Sequence, residues 1–455
     1  MNVATATADD AYARSTQGFF VLAIVSVLAL APHFLTQDRT SNFLIYFATA
    51  FALGGLAVMR RSRRGATAAF SRRIHAAFSS EQWATFAVFV AFLALYGGSM
   101  FEPSPYNEQV RQAFAFVHGH TYIDAPQSFI EHAQIGSYSY AIHPPLPAFL
   151  LMPFTAIWGM DTNQTEFSVV VGAIDVALAW ILLGRLKVNP NPRVWLTLFF
   201  GMGNILWYET VVGTTWALPM NMALLFELAT LCELFGETRP LWLGIYASLT
   251  ALARYDLALG APVIAIVAMA RGRKFTEMFA MVPPFLVAGL IFIGFNEIRY
   301  HTLFDVGILK VARDQGYSGA FGLKYFPGNF YTLLFMAPTV NGNFPYIHPV
   351  FSGQALPLTS PAFVLAFRPS FRRLTVSMMG LGALLVSIPA LFHFTNGFAQ
   401  FGTRLYLPSF PFLLVMMAIG MRRRTDQLSR ILIGTSIFLI AFGVWHIHVW
   451  GLNGP

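Results

Sequence analysis

The chain has 455 residues, of which 56% are hydrophobic and only 11% are charged, and its mean hydropathy is +0.57. Soluble domains carry about 25% charged residues, so this composition excludes an ordinary soluble domain and predicts an all-α protein that spans a membrane many times. The single cysteine, Cys232, excludes a disulfide framework. The net charge of +8 indicates basic cytoplasmic loops rather than nucleic-acid binding.

Apolar stretches divided by polar or basic segments predict the membrane-spanning helices. The first three are expected at 18–36, 43–59 and 83–101, and six arginines within 60–73 place the loop before the third helix in the cytoplasm. Further spans are expected at 166–184, 194–209, 216–235, 241–254, 256–270, 278–297, 356–367, 374–392, 408–421 and 431–448. A total of about 13 helices puts the N-terminus in the cytoplasm and the C-terminus outside.

The proline-rich stretch 144–159 decides which loops share a compartment. As a spanning helix it would leave backbone groups without hydrogen bonds in lipid, so we expect an interfacial helix on the outer leaflet. With that choice, 14 Lys and Arg residues downstream lie in predicted cytoplasmic loops and only six lie outside. These six are Arg254, Arg299, Lys310, Arg313, Lys324 and Arg404.

Acidic residues gather on the predicted outer side as well. Five of them, including Glu131, fall between residues 102 and 161, and Glu209 is expected at the outer end of a span. Transfer of a group from a lipid phosphate needs a carboxylate to accept a proton and cations to stabilise the departing phosphate. Arginine suits the second task because its planar guanidinium binds phosphate oxygens in pairs. The alternative is that these charges are solvated loop residues and interfacial anchors.

Motifs along the two long outer loops resemble one family. The first loop has Asn107-Glu108 at the start of an expected amphipathic helix, then Gly119, and then Tyr-Ser-Tyr-Ala-Ile-His-Pro-Pro-Leu at 138–146. Later motifs lie at 295–300, 316–317, 327–329, 359–361 and 400–404. In their order, these motifs resemble the GT-C superfamily of membrane glycosyltransferases: protein O-mannosyltransferases, aminoarabinose transferases of lipid A and bacterial mannosyltransferase-like membrane proteins. The resemblance covers residues 83–421.

This resemblance implies a GT-C-like fold with juxtamembrane helices in outer loops 102–165 and 298–355. It also implies transfer of a sugar from a polyprenyl-phosphate donor to an acceptor hydroxyl on the outer face, with inversion at the anomeric carbon. The acceptor, whether glycan, lipid or protein, stays open. Family members have an Asp-Glu pair whose first acid is the presumed base, but Asn107 stands there and an amide cannot accept the proton. Glu108 is therefore the expected base, with Asp124 and Glu102 as reserves on the same loop.

The expected phosphate-binding residues are His143, Arg254, Arg299, Arg404 and Lys324. Each has a simpler alternative: a structural role at a helix start for His143, a local ion pair with Asp256 for Arg254, and interfacial anchoring for Arg404.

A group of histidines and the family pattern raise the question of a metal. His118, His120 and His132 lie near one another in the sequence, but their spacing is not specific for zinc. Some GT-C relatives use a divalent metal and others do not, so Mg²⁺ or Mn²⁺ at the outer carboxylates stays open. No other cofactor is expected.

The chain is expected to divide into two N-terminal helices with a basic loop at 1–82, a GT-C-like core at 83–421, and a basic loop with a C-terminal helix at 422–455. The resemblance implies the bacterial inner membrane. Because two acids, Asp175 and Glu227, lie within spans, a transporter or flippase for a lipid-linked or anionic solute stays an alternative. They are otherwise expected to pack against Asn204, Asn221 or other polar groups within the bundle. The missing Asp at Asn107 leaves a third alternative, a non-catalytic envelope assembly protein.

Overall fold

The structure, a computed structural model, describes residues 81–123, 131–304, 307–344, 346–350, 352–397 and 400–450. The predicted helices at 18–36 and 43–59, the basic segment 60–73 and Asp124 lie outside these residues. The α-helices are α1 Glu81–Gly98, α2 Glu108–Val117, α3 Leu146–Trp158, α4 Gln164–Arg185, α5 Pro190–Met202, α6 Leu206–Val212, α7 Ala217–Phe235, α8 Pro240–Ala253, α9 Ala261–Ala270, α10 Val282–Tyr300, α11 Gly307–Asp314, α12 Phe326–Leu334, α13 Leu356–Thr359, α14 Leu374–Phe392, α15 Phe410–Met421 and α16 Gln427–Trp450.

Six helical segments within the described ranges are long and apolar enough to cross a membrane. They are Gln164–Arg185, Ala217–Phe235, Phe275–Tyr300, Leu374–Phe392, Arg404–Met421 and Gln427–Val449. Several begin with a 3-10 turn, which extends α10 back to Phe275 and α15 back to Arg404. A mostly helical membrane protein is therefore supported, and the total of about 13 spans stays a prediction.

Short β-hairpins interrupt the otherwise helical loops, which the all-α prediction did not include. Strand β1, His132–Ile135, pairs antiparallel with β2, Tyr138–Ala141, and Gly136 makes the turn with a φ of +59°. Strand β3, Thr339–Val340, pairs with β4, Ile347–His348. Both hairpins lie in the two long segments that the sequence assigns to the outer loops.

The helices run between two ends of the bundle, and the basic loops share one of them. At this basic end, the Asn189 N–H donates to the Arg422 carbonyl at 2.9 Å, and Arg422 Nε donates to the Lys187 carbonyl at 3.0 Å. Arg368 pairs with Asp426 at 2.9 Å at the same end. Loops that the sequence assigns to the cytoplasm are thus brought together.

The opposite end, the loop end, holds the two long loops. The Phe101 N–H donates to the Val211 carbonyl at 3.0 Å, and the Thr215 N–H donates to the Tyr106 carbonyl at 2.9 Å. Gln164, the first residue of α4, donates from Nε2 to the Tyr106 carbonyl at 3.2 Å and to the Gly213 carbonyl at 2.8 Å. Because Tyr106 precedes α3 and Gln164 follows it, the chain enters and leaves α3 at the same end.

Close packing of α1, α4 and α7 forms the centre of the bundle. Trp180, Leu182 and Leu183 on α4 are fully buried. A Cβ at Gly172 would approach Thr210 Oγ1 to 2.4 Å, so the glycine lets α6 lie directly against α4. The extensive burial fixes these helices relative to one another and gives the loop end a rigid base.

Within the described residues, the side-chain amides of Asn204 and Asn221 donate to groups other than the two acids within spans. Asn204 Nδ2 donates to the carbonyls of Phe199 and Phe200, and Asn221 Nδ2 donates to Ser168 Oγ at 3.1 Å. Asp175 lies near Tyr96 of α1, whereas Glu227 lies near Asp256. The two acids therefore have different surroundings in the bundle.

Candidate functional site

Glu108 is the first residue of α2 and is fully buried at the loop end. Its Oε1 accepts a hydrogen bond from the Glu131 N–H at 3.0 Å, while its Oε2 has no hydrogen-bond partner within the described ranges. Burial raises the pKa of Glu108 to about 7, and nearby Thr215 acts in the opposite direction. A carboxyl with this pKa exchanges protons near neutral pH.

Asn107 does not cap α2. Its Oδ1 instead accepts a hydrogen bond from Arg111 Nε at 3.0 Å, one turn further along the helix. Asn107 is thus held by a cation of its own helix. Glu108 remains the carboxylate at this position of the chain.

Glu131 and Trp216 connect Glu108 to an arginine. Trp216 Nε1 donates to Glu131 Oε2 at 2.9 Å, and Glu131 in turn donates its N–H to Glu108. The Arg404 guanidinium carbon lies 5.3 Å from the centre of the Trp216 ring, a cation–π distance. The first long loop and the segment before α15 therefore meet around one tryptophan.

Three of the expected phosphate ligands converge on His143. Burial first, and then the charges of Arg299, Arg254 and Arg404, lower the pKa of His143 to about 4. These arginines come from α10, from the end of α8 and from the 3-10 turn before α15. His143 Nε2 is buried and has no hydrogen-bond partner among the residues that the structure describes. His143 is thus neutral and lies within electrostatic range of three arginines, Arg254, Arg299 and Arg404, which we call the arginine cluster.

The three arginines differ in how firmly the protein holds them. Arg254 forms a bidentate ion pair with Asp256, with N–O distances of 3.0 and 2.5 Å. Arg299 is fully buried and donates from Nη1 to the Ala141 carbonyl at 2.7 Å and from Nη2 to Asn296 Oδ1 at 3.0 Å. Arg299 thus fixes strand β2, two residues before His143. Of the three, Arg299 has the clearest structural role.

The remaining predicted site residues lie elsewhere or cannot be placed. Lys324 Nζ donates to Ser318 Oγ and lies 4.7 Å from the Tyr325 ring centre, on the second long loop. Glu102 is exposed in the link between α1 and α2. Asp124 lies outside the described residues. Within the described ranges, no group of three or more His, Cys, Asp and Glu side chains that could hold a metal ion is found.

Two further residues of this site were not singled out from the sequence. Glu209 on α6 is buried, neither of its carboxylate oxygens has a hydrogen-bond partner within the described part of the chain, and it lies near Arg404. His393 follows α14 and lies near Arg254, Asp256 and Arg404. The only sequence signal for Glu209 was its place at the outer end of a span, and His393 had none.

Together these contacts join a carboxyl group of pKa about 7 to Arg404, and Arg254 and Arg299 act with Arg404 on His143 at the same end of the bundle. The carboxylate form of Glu108 can take a proton from a hydroxyl. The arginines can hold an anion such as a phosphate. The arrangement therefore suits a reaction in which a hydroxyl attacks and a phosphate departs.

Comparison of the chain with protein-family models, with curated proteins and with solved structures finds no match.

Proposed function

We propose that this protein is a GT-C-type glycosyltransferase that moves a sugar from a polyprenyl-phosphate donor to an acceptor hydroxyl. The observation that carries the proposal is the convergence of Arg254, Arg299 and Arg404 on His143, with Arg404 connected to Glu108 through Trp216 and Glu131. The family resemblance of the loop motifs supports the same chemistry. The acceptor is a glycan, a lipid or a protein at the loop end.

In the proposed reaction, Glu108 accepts the proton of the acceptor hydroxyl. The hydroxyl oxygen then bonds to the anomeric carbon as the bond from that carbon to the phosphate oxygen breaks. The phosphate leaves with the bonding electrons, and Arg254 and Arg404 stabilise its charge. Neutral His143 donates a hydrogen bond to it, and Arg299 holds the strand that positions His143. One displacement inverts the anomeric configuration.

The proposal places the loop end on the outer face of the bacterial inner membrane, where the lipid-linked donor lies in the outer leaflet. The basic end then faces the cytoplasm, in agreement with the positive-inside rule. Helix α3 lies along the outer leaflet, which is compatible with the entry and exit of the chain at one end of the bundle. The mechanism has no step that depends on a divalent metal.

Transport of a lipid-linked or anionic solute is the second candidate. It is favoured by Asp175, which is buried in α4 and whose carboxylate oxygens have no hydrogen-bond partner within the described ranges. We rank transport second because Asp175 lies near Tyr96, while Glu227 lies near Asp256 and the arginine cluster. A non-catalytic role in envelope assembly is third.

The test is transfer from labelled polyprenyl-phosphate sugars by the purified protein in nanodiscs. We expect Glu108→Gln to lower turnover at least about 100-fold, because it removes the base. Asp161→Asn is the matched control, since it changes a carboxylate on the same loop at an exposed position, and it should keep full turnover. Full turnover by Glu108→Gln would refute the base assignment, and no turnover with any donor would favour transport or assembly.

A further inference from the structure

Helix α2 carries buried amide groups that the proposed chemistry does not use. Gln109 and Gln112 are each fully buried. Within the described residues, neither the nitrogen nor the oxygen of either side-chain amide has a hydrogen-bond partner. Protein interiors rarely contain such groups, because burying a polar group without a partner is costly. Two complete amides on one helix therefore indicate a ligand that supplies the missing hydrogen bonds.

The direction of these amides follows from helix geometry. Successive residues are about 100° apart around an α-helix, so Glu108, Gln112 and Gln109 lie within an arc of about 100° that also contains Phe116. We call these three polar residues the α2 stripe. Glu108 marks one end of the stripe, beside Thr215 and the Glu131 N–H.

Phe116 lies within the same arc, about two turns further along the helix, and its ring contacts α10 near the arginine cluster. Its ring centre lies 4.9 Å from that of Phe149 on α3 and 5.8 Å from that of Phe295 on α10. The Arg299 guanidinium carbon lies 3.8 Å from the Phe295 ring centre. The α2 stripe therefore lies between Glu108 and the contact of Phe116 with α10.

The chemistry of the stripe selects the ligand. A glutamine amide has two donor hydrogens and an acceptor oxygen in one plane, and Glu108 Oε2 adds a further acceptor. Neutral groups of this kind match hydroxyls, which both donate and accept. A phosphate would be bound by the three arginines and would not require the neutral amide donors. An apolar ligand would leave both amides without hydrogen bonds. A polyhydroxylated sugar ring satisfies all of them.

We infer that Gln109 and Gln112 bind the hydroxyls of the sugar carried by the lipid phosphate, between Glu108 and the arginine cluster. This inference rests on the proposed function, because it assigns the sugar subsite of the same site. The two glutamines position the ring so that its anomeric carbon faces the attacking hydroxyl. They are specificity-determining residues, while the phosphate is bound by other groups.

The test is equilibrium binding of short-chain donors to the protein in nanodiscs. The probes are citronellyl phosphate and its mannosyl, glucosyl, galactosyl and arabinosyl derivatives. We expect the wild type to bind at least one sugar derivative about tenfold or more tighter than citronellyl phosphate. The double variant Gln109→Met/Gln112→Met should lose that preference and keep its affinity for citronellyl phosphate. Arg404→Gln should weaken the binding of every probe.

A second measurement separates a ligand role from a packing role. In the absence of donor, the double methionine variant removes two unpaired amides at similar volume, so its melting temperature should equal or exceed that of the wild type. A lower melting temperature would overturn the inference, as would a wild type without sugar preference or a double variant that retains it. Binding is measured without turnover, so a sugar preference in a protein that transfers nothing would refute the transferase and leave the sugar subsite intact.

Discussion

Glu108 combines a pKa near neutrality with a carboxylate oxygen, Oε2, that has no hydrogen-bond partner within the described residues, and both properties come from its position on α2. Oε1 is fixed by the Glu131 N–H, which leaves Oε2 to meet a substrate. Burial raises the pKa of Glu108 to about 7. In the proposed reaction, a base with this pKa suits physiological pH. Part of it is deprotonated at that pH, and the deprotonated form still accepts a proton readily.

The pH dependence of turnover should report this pKa. The base acts in its deprotonated form, so kcat/KM should rise as the pH increases from 6 to 8, with a midpoint of about 7. His143, with a pKa of about 4, stays neutral over that range. The residual activity of Glu108→Gln should lack this midpoint. A midpoint unchanged in the variant would assign the titration to another group.

Stability should depend on pH in the opposite direction. The pKa of Glu108 is raised from 4.5 in the unfolded chain to about 7 in the fold. The folded state therefore binds the proton more tightly, and stability is lost as the pH rises through this window. A shift of this size corresponds to about 3 kcal/mol at pH 8. The melting temperature of Glu108→Gln should rise relative to that of the wild type from pH 5 to pH 8. A constant difference between the two melting temperatures would contradict the assigned pKa.

At the scale of elements, the hairpin of β1 and β2 depends on one buried arginine of α10. Arg299 donates to the Ala141 carbonyl and to Asn296 Oδ1, and it lies over the rings of Phe295 and Tyr300. The strand end that it fixes leads directly to His143. We therefore regard Arg299 as the link between the transmembrane bundle and the first loop.

Replacing Arg299 with methionine should loosen this hairpin. The substitution leaves the Ala141 carbonyl without its donor and should cost about 1–3 kcal/mol of stability. The exposed Arg313→Met is the matched control and should behave like the wild type. Thermal unfolding and chymotrypsin cleavage at the hairpin tyrosines measure the effect. Equal protection of the hairpin in both variants would show that Arg299 does not anchor it.

Sequence patterns predicted the helices better than the contacts between them. The span expected at 166–184 is α4, Gln164–Arg185, because its apolar length and flanking polar residues define it locally. Glu108, Arg254, Arg404 and His143 were also expected at one site. The role of Trp216 was not predicted, because its hydrogen bond to Glu131 joins residues 85 positions apart in the sequence. The α2 glutamines, which have no hydrogen-bond partner within the described ranges, likewise become visible only when burial is known.

For the whole molecule, the central claim is that the carboxylate and its arginines face one compartment, outside the cytoplasm. The hydrogen bonds of Gln164 to the Tyr106 and Gly213 carbonyls place the chain before and after α3 at the same end. The same end receives Arg254, Arg299 and Arg404 around His143. The positive-inside rule predicts that this end is outside.

The most direct measurement is cysteine labelling from one side of the membrane. The buried Cys232 is first changed to serine, and single cysteines are introduced at Ser137 in the hairpin turn and at Arg424 at the basic end, both of which are exposed. We predict that an impermeant maleimide added to spheroplasts labels Ser137→Cys at once and Arg424→Cys only after permeabilisation. Immediate labelling of Arg424→Cys with protection of Ser137→Cys would put the site in the cytoplasm and contradict the proposed transferase.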